Sequence, residues 1–362
     1  MTTAERANIL EQVLSDHGAH WQPSARELIE SVALELSQPE ALDRWIPYGN
    51  QQSRARCLSP ILHIMSRNTP EAAIQSIGRG ILLGAQQQWV KLPSGGLPEL
   101  ETFLETLPQQ IKDRITCSRE LLPDWVESAK AVIAFGSEET LAEIHQQLRH
   151  DQVFQSHGHK LSCAVMFEYP SPETIKQLVE QVAIYDQLGC LSPHQLFLGP
   201  NLRDQGPALA AALADEFTKF EESKPRTPVP SSVALQIQHQ RNLARLDAAI
   251  DPEHRMLFES ANSTSWTVVF DSNSTLRSGP GHRFLRISPL PVQVSELGAE
   301  MHFLSTVGVY PANEDSFENL SDWQAPRLCP IPEMQHPGPF WHHDGRGCLA
   351  DLVIWQDRVN QA

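Results

Sequence analysis

Residues 59–91 read SPILHIMSRNTPEAAIQSIGRGILLGAQQQWVK, and their pattern changes twice. The run 61–65 is short and apolar around His63, as expected of a strand buried on both faces. Residues 71–83 follow as a helix, ended by Gly84 where a helix C-cap favours a left-handed residue. The stretch 88–91 is then a second strand. Strand, helix, strand implies a parallel sheet. The glycines of Gly78-Arg79-Gly80 and Gly84 imitate a dinucleotide fingerprint, but they close a helix instead of opening one and read as packing plus a C-cap.

Working outward, a second crossover unit follows. Residues 97–107 form a helix, 124–130 a short connector, and Ala131-Val132-Ile133-Ala134-Phe135 a continuous apolar strand. It stops at Gly136-Ser137, and 138–148 is a helix with acidic residues in its first turn, where the helix dipole favours them. Upstream, 1–50 is helical, with Leu10, Val13 and Leu14 and then Leu28, Ile29, Val32, Ala33 and Leu36 at helix spacing. Downstream, 161–167, 195–198, 267–270 and 284–287 are strands and 207–220 and 233–249 helices. The proline-bearing 222–232 is an ordered turn or hinge, and 311–345 is loop-rich. Three regions are expected: 1–160 with the N-terminal helices and a dinucleotide-binding domain, 161–310, and a C-terminal segment 311–362.

The chain has 362 residues, 41% hydrophobic and 20% charged, enough for two domains with buried cores and incompatible with a disordered chain. No stretch is apolar for the ~18 residues that a membrane span needs. Net charge is −16, and no basic run offsets it, so nucleic acid and anionic lipid surfaces are not expected partners. The first residues lack the basic start and apolar middle of a signal peptide, and a cytoplasmic location is expected. The six cysteines, at 57, 117, 163, 190, 329 and 348, form no Cys-x-x-Cys pair, so each is expected as a thiol.

The densest chemistry lies at Tyr185-Asp186-Gln187-Leu188-Gly189-Cys190-Leu191-Ser192-Pro193-His194. Here a helical stretch runs into a glycine, a cysteine and a proline-terminated turn. At such a boundary a thiol can be accessible, with backbone N–H groups near enough to stabilise a thiolate or an oxyanion. A buried turn cysteine fits the same spacing. His336, His342, His343 and Asp344 could suggest a metal, but imidazoles adjacent in sequence seldom both reach one ion, and no metal is expected. No Gly-x-Ser-x-Gly elbow or Walker loop is present.

The Gly189-Cys190-Leu191-Ser192-Pro193-His194 segment after Tyr185-Asp186 resembles the nucleophile segment of the long-chain acyl-CoA reductases. These are the fatty acid reductases of bacterial luminescence, within the aldehyde dehydrogenase superfamily. Two further blocks agree: 135–140 with 157–162, and Trp341-His342-His343-Asp344-Gly345 with 349–353. The resemblance runs from about Ile61 to Trp355. It implies an α/β, aldehyde dehydrogenase-like fold: a Rossmann-like cofactor domain, a second α/β catalytic domain carrying Cys190, and a C-terminal segment returning across the cleft. Ser66-Arg67-Asn68-Thr69-Pro70 is similar to the superfamily's asparagine turn, making Asn68 an oxyanion donor beside the Cys190 N–H. Lys91 matches the strand-end lysine that meets the adenosine ribose. Ser94 and Gly95 stand where NAD-using relatives carry an acid, which implies NADPH, with NADH possible. Gly136, Ser137 and Thr140 would meet the pyrophosphate. No acid falls near Ser156 or His157, where the superfamily has its water-activating glutamate, so hydrolysis is disfavoured, and His157 or His159 could handle protons.

The resulting expectation is an acyl-CoA reductase that turns an acyl thioester into an aldehyde through an acyl-cysteine on Cys190. The substrate would be acyl-CoA or an acyl-protein, possibly handed over by an acyl-donor protein, and the enzyme a homo-oligomer. An acyltransferase or thioesterase using the same cysteine, or an inactive binding protein on the same fold, are the alternatives.

Overall fold

Before the decisive stretch the chain forms α1 (Thr3–His17), α2 (Ala25–Leu36), β1 (Ile46–Tyr48) and β2 (Gln51–Cys57). Both helices open with a capping box, Thr2 with Glu5 and Ser24 with Glu27, which satisfies the first unpaired N–H groups. The stretch itself folds as β3 (Ile61–Ile64), α3 (Pro70–Leu83) and β4 (Gln88–Lys91). Then come α4 (Pro98–Thr106), α5 (Gln109–Lys112), β5 (Ile115–Ser118), α6 (Pro123–Ser128), β6 (Ala131–Phe135), α7 (Glu138–Gln147) and β7 (Val153–His157). The connector expected at 124–130 therefore contains a helix, because Pro123 sits at its first position, where a missing N–H costs nothing.

This computed structural model describes residues 1–19, 21–67 and 70–359. It divides into two units, Met1–His159 with His336–Ala362, and Lys160–Gln335. In the first, five parallel strands lie in the order β5-β4-β3-β6-β7. The chain leaves β3 in one direction and returns to its other side with β6, so the sheet has a topological switch point there. Open α/β sheets bind ligands at that place, beyond the carboxyl ends of the strands.

The glycines of α3 have the expected packing roles. A Cβ on Gly78 would meet the Trp21 ring at 3.3 Å, one on Gly80 would collide with Gln88 Oε1, and Gly84 ends the helix at φ +82°. Gln88 is held there because His63, fully buried in β3, contacts Gln88 Oε1 at 3.0 Å through Nε2 and Ser76 Oγ at 2.9 Å through Nδ1.

The second unit runs β8 (Leu161–Met166), α8 (Pro172–Ala183), β9 (Pro193–Leu198), α9 (Gly206–Ser223), α10 (Ser231–Ile250), β10 (Arg255–Glu259), β11 (Thr267–Asp271), β12 (Phe284–Pro289), β13 (Leu304–Tyr310), α11 (Glu314–Glu318) and β14 (Arg327–Pro330). Its sheet order is β10-β11-β12-β9-β8-β13-β14, and every pairing is parallel except β10 with β11. The fully buried Arg241 ties α10 to the start of β11, donating to Thr267 Oγ1 at 2.9 Å and to the Trp266 carbonyl at 2.7 Å.

Residues 311–335 lie in this second unit and supply β14, an edge strand inside what reads as loop. From His336 the chain belongs to the first unit, where β15 (Val353–Arg358) pairs antiparallel with β2 to complete the sheet β1-β2-β15. Among the described residues no helix is long and apolar enough to cross a membrane.

Candidate active site

Cys190 lies in the turn between α8 and β9, half-buried, and its backbone is fastened from several sides. Ser162 Oγ on β8 donates to the Cys190 carbonyl at 2.7 Å, and Ser192 N closes the turn onto the Gly189 carbonyl at 3.1 Å. Gln335 Nε2 donates to Ser192 Oγ and to the Gln181 carbonyl, each at 2.9 Å. Before the cysteine, Asp186 and Gln187 take left-handed φ values of 50° and 61°. Gln187 is held there by its own buried amide, which accepts from Phe284 N at 2.6 Å and donates to the carbonyls of Phe284 and Pro193 at 3.0 and 2.9 Å. Asp186 is paired with the buried Arg283 at 2.8 Å. The turn is thus a pre-positioned one, the condition for presenting a nucleophile.

The other thiols are poorer candidates. Burial pushes Cys163 far up, Cys57 up to about 12 and Cys329 up to about 11, and burial followed by Glu101 also raises Cys117. A thiol held above its ordinary value contributes little thiolate at neutral pH. Cys348 is buried, with its Sγ 3.6 Å from the Trp341 carbonyl.

The expected cofactor residues all lie in the first unit, at the carboxyl ends of β4 and β6 on either side of β3. Lys91 ends β4, and the turn after it is closed by Gly96 N on the Pro93 carbonyl at 2.8 Å, leaving Ser94 exposed at its tip. Arg67, from the turn after β3, lies over that tip: its guanidinium is 3.4 Å from where a Gly95 Cβ would be. At the end of β6, Gly136 packs on Thr140, and Ser137 caps α7 by accepting from Thr140 N at 3.3 Å. Glu139 folds back on its own N–H and on Ser137, which holds its carboxyl below the usual range. That acid occupies part of the helix terminus which a pyrophosphate would use. Asn68 lies outside the described residues.

A third constellation was not legible as one. His157, at the end of β7, places Nδ1 3.0 Å from Asp344 Oδ2 and stacks on His343 with ring centroids 4.1 Å apart. His157 and His343 belong to separate motifs in the sequence, and only the return of the C-terminal residues to the first unit joins them. His336, His342 and His159 are exposed, and the three ligating side chains that converge are those of His157, His343 and Asp344.

The sequence matches the acyl-CoA reductase (LuxC) family over residues 5–355. Comparison with curated protein sequences gives no match. Among solved structures, aldehyde dehydrogenase 21 from Physcomitrella patens, in complex with succinate, is 13% identical with a TM-score of 0.68 over 99% of this chain and 86% of its own. The NADP-dependent glyceraldehyde-3-phosphate dehydrogenase from Bacillus halodurans, complexed with NADP, is 14% identical with a TM-score of 0.68 over 99% of this chain and 87% of its own. The glyceraldehyde-3-phosphate dehydrogenase GapN from Methanocaldococcus jannaschii, also complexed with NADP, is 9% identical with a TM-score of 0.65 over 99% and 90%. At such identities the likeness is one of fold, and the fold is that of the aldehyde dehydrogenases.

Proposed function

This chain belongs to the acyl-CoA reductase (LuxC) family, and from that premise we propose that it reduces an acyl thioester to an aldehyde with Cys190 as the nucleophile. The observation that carries the assignment is the Cys190 turn: a half-buried thiol on a backbone pinned by Ser162 and Gln187, while burial raises Cys57, Cys163 and Cys329.

The thiolate of Cys190 attacks the acyl carbonyl, the carbon–sulfur bond to CoA breaks, CoA leaves as its thiolate, and a new thioester joins the acyl group to Cys190. The residues at the carboxyl ends of β4 and β6 would hold a nicotinamide cofactor, whose chemistry would be to supply hydride. Lys91 would meet the adenosine ribose, Gly136, Ser137 and Thr140 would hold the pyrophosphate, and Ser94 would leave room for a 2′-phosphate. The residues suit such a group, since the strand order creates the switch-point crevice and Arg67 adds a second cation over the turn after Lys91. Cys190 is released as thiolate when the reduced carbon becomes aldehyde. Asn68 and the Cys190 N–H hold the oxyanion; loss of one such donor slows turnover by ~100–1,000-fold elsewhere, and Asn68→Ala is expected to do the same in a folded protein. Ser156 and His157 stand where the superfamily has its water-activating glutamate, and on that ground hydrolysis of the acyl-cysteine is disfavoured.

The test is direct. After incubation with acyl-CoA, mass spectrometry should find the acyl group on Cys190, and addition of NADPH should release aldehyde. Acylation with no aldehyde under either nicotinamide would make the protein an acyl transferase or thioesterase instead, and no acylation at all would make it a binding protein.

A further inference from the structure

Three side chains with metal-ligating atoms converge where the loop 341–345 meets the carboxyl ends of β6 and β7. Asp344 places Oδ2 3.0 Å from His157 Nδ1 and 3.8 Å from His343 Nε2. One donor atom from each of the three lies within 4.8 Å of the others. The side chains of His157, His343 and Asp344 keep 13%, 8% and 12% of their exposure. Phe135, His157, His343 and Trp341 stack as a column with successive ring centroids at 4.7, 4.1 and 4.3 Å, and the His157 and His343 ring planes are 23° apart. Asp344 turns toward this column from a left-handed backbone, φ 54°, in a loop closed by Gly345 N on the His342 carbonyl at 3.0 Å.

We propose that His157, His343 and Asp344 bind a divalent transition-metal ion of the zinc class. Two imidazoles and one carboxylate are a nitrogen-and-oxygen donor set that suits Zn²⁺ or Co²⁺, whereas Mg²⁺ and Ca²⁺ require oxygen ligands. With metal–ligand bonds of ~2.1 Å, donor pairs separated by the two distances to Asp344 subtend about 90° and 130° at the ion, bracketing the tetrahedral angle. For one ion to lie in both ring planes and within the ~4.2 Å that two such bonds span, His343 must turn out of the stack it makes with His157. Binding displaces the proton shared by His157 Nδ1 and Asp344, and the ion takes its place between the same two atoms. Three protein ligands leave a fourth position for water or a substrate oxygen. The adjacent pair His342-His343 supplies only one ligand; the other imidazole comes from β7. The ion would fasten the 341–345 loop to the strand ends within the first unit, and this inference does not depend on the reductase reading.

The experiment uses the full chain, stripped with a chelator and titrated with Co²⁺. One equivalent should give visible d–d absorption that Zn²⁺ abolishes by displacement and Mg²⁺ does not, and Zn²⁺ should raise the Tm. Asp344→Asn keeps the shape and the His157 contact, and it should lose the band and weaken Co²⁺ binding at least tenfold while the circular dichroism of the metal-free protein is unchanged. His157→Gln should do the same. No stoichiometric Co²⁺ binding to the folded wild type overturns the proposal. So does a Kd that neither variant shifts by tenfold, since the ion would then sit elsewhere among the chain's histidines.

Discussion

The backbone around Cys190 is held by Ser162 on its carbonyl, by the Ser192 turn and by the buried Gln187 amide. Cys190→Ala should abolish acylation, and mass spectrometry of the variant after exposure to acyl-CoA should find no acyl group on Cys163 or Cys348. Gln187→Ala should also lower the acylation rate, because the left-handed turn is held by the Gln187 amide, and its loss leaves the Phe284 and Pro193 carbonyls short of a donor at ~1–3 kcal/mol. Rescue of the rate by Gln187→Asn would argue against that geometry, since the shorter amide cannot span both strands. On the cofactor side, Ser94→Glu should weaken NADPH more than NADH, and Arg67→Ala should move the ratio the same way, because the Arg67 guanidinium lies over the turn that would face a 2′-phosphate. Glu139→Gln should strengthen both cofactors by removing a carboxylate from the terminus of α7. Steady-state ratios for the two nicotinamides decide the Ser94 and Arg67 cases, and the KM for each nicotinamide decides the Glu139 case.

The crossover unit β3-α3-β4 carries a buried polar centre that makes its stability depend on pH. Burial pushes His63 down to about 4, with the Gln88 hydrogen bond opposing, so the folded protein keeps this ring neutral while the unfolded chain takes up a proton below about 6.5. The unfolded state binds more protons between those values, so stability rises with pH through the window and is lost as pH falls from about 6.5 to about 4, by roughly 3 kcal/mol. Denaturant unfolding of wild type and His63→Gln, followed over that range, should show the slope only in wild type; equal slopes would assign it to other groups. Gly80→Ala should destabilise at all pH values, since its Cβ displaces Gln88 from His63. This unit was legible because β3 is apolar on both sides of His63, β4 centres on Trp89 and Val90, and the helix between them ends at a glycine. β13 was not: Ser305, Thr306 and Gly308 break its run, although it lies inside the sheet, and Gly308 is there because a Cβ would collide with Met334. β2 is polar apart from Ala55 and Cys57, β15 runs from the apolar Val353, Ile354 and Trp355 into polar residues, and their pairing spans nearly the whole chain, so no local pattern could reveal it. The Cys190 turn was visible in its residues, whereas the pairing of His157 with Asp344 required the fold.

Across the whole chain, the first unit is closed by its last residues and the second is not. Residues 336–359 return to the first unit, place Cys348, Leu349 and Leu352 in the core built by α1, α2, α3 and α4, and end as β15 on β2. One side chain holds the point of entry. Glu35, at the end of α2, accepts from Cys348 N at 2.9 Å and from Leu349 N and Ala350 N at 2.8 Å each, and Gly347 leaves the room, since a Cβ there would lie 2.7 Å from Glu35 Oε2. Hydrogen bonds from N–H groups to a carboxylate contribute ~1.5–3 kcal/mol each when desolvated, and three on one half-buried group make Glu35→Ala costly although it removes little apolar surface. The loss is local: without the carboxylate the 348–350 turn opens, β15 exchanges its amide hydrogens faster, and the loop 341–345 loses its anchor on the far side. Hydrogen exchange read by peptide should therefore rise in β15 and β2 of Glu35→Ala, with β8, β9 and β12 of the second unit unchanged. Uniform acceleration in both units would mean that the chain opens as one cooperative body and that this carboxylate holds all of it.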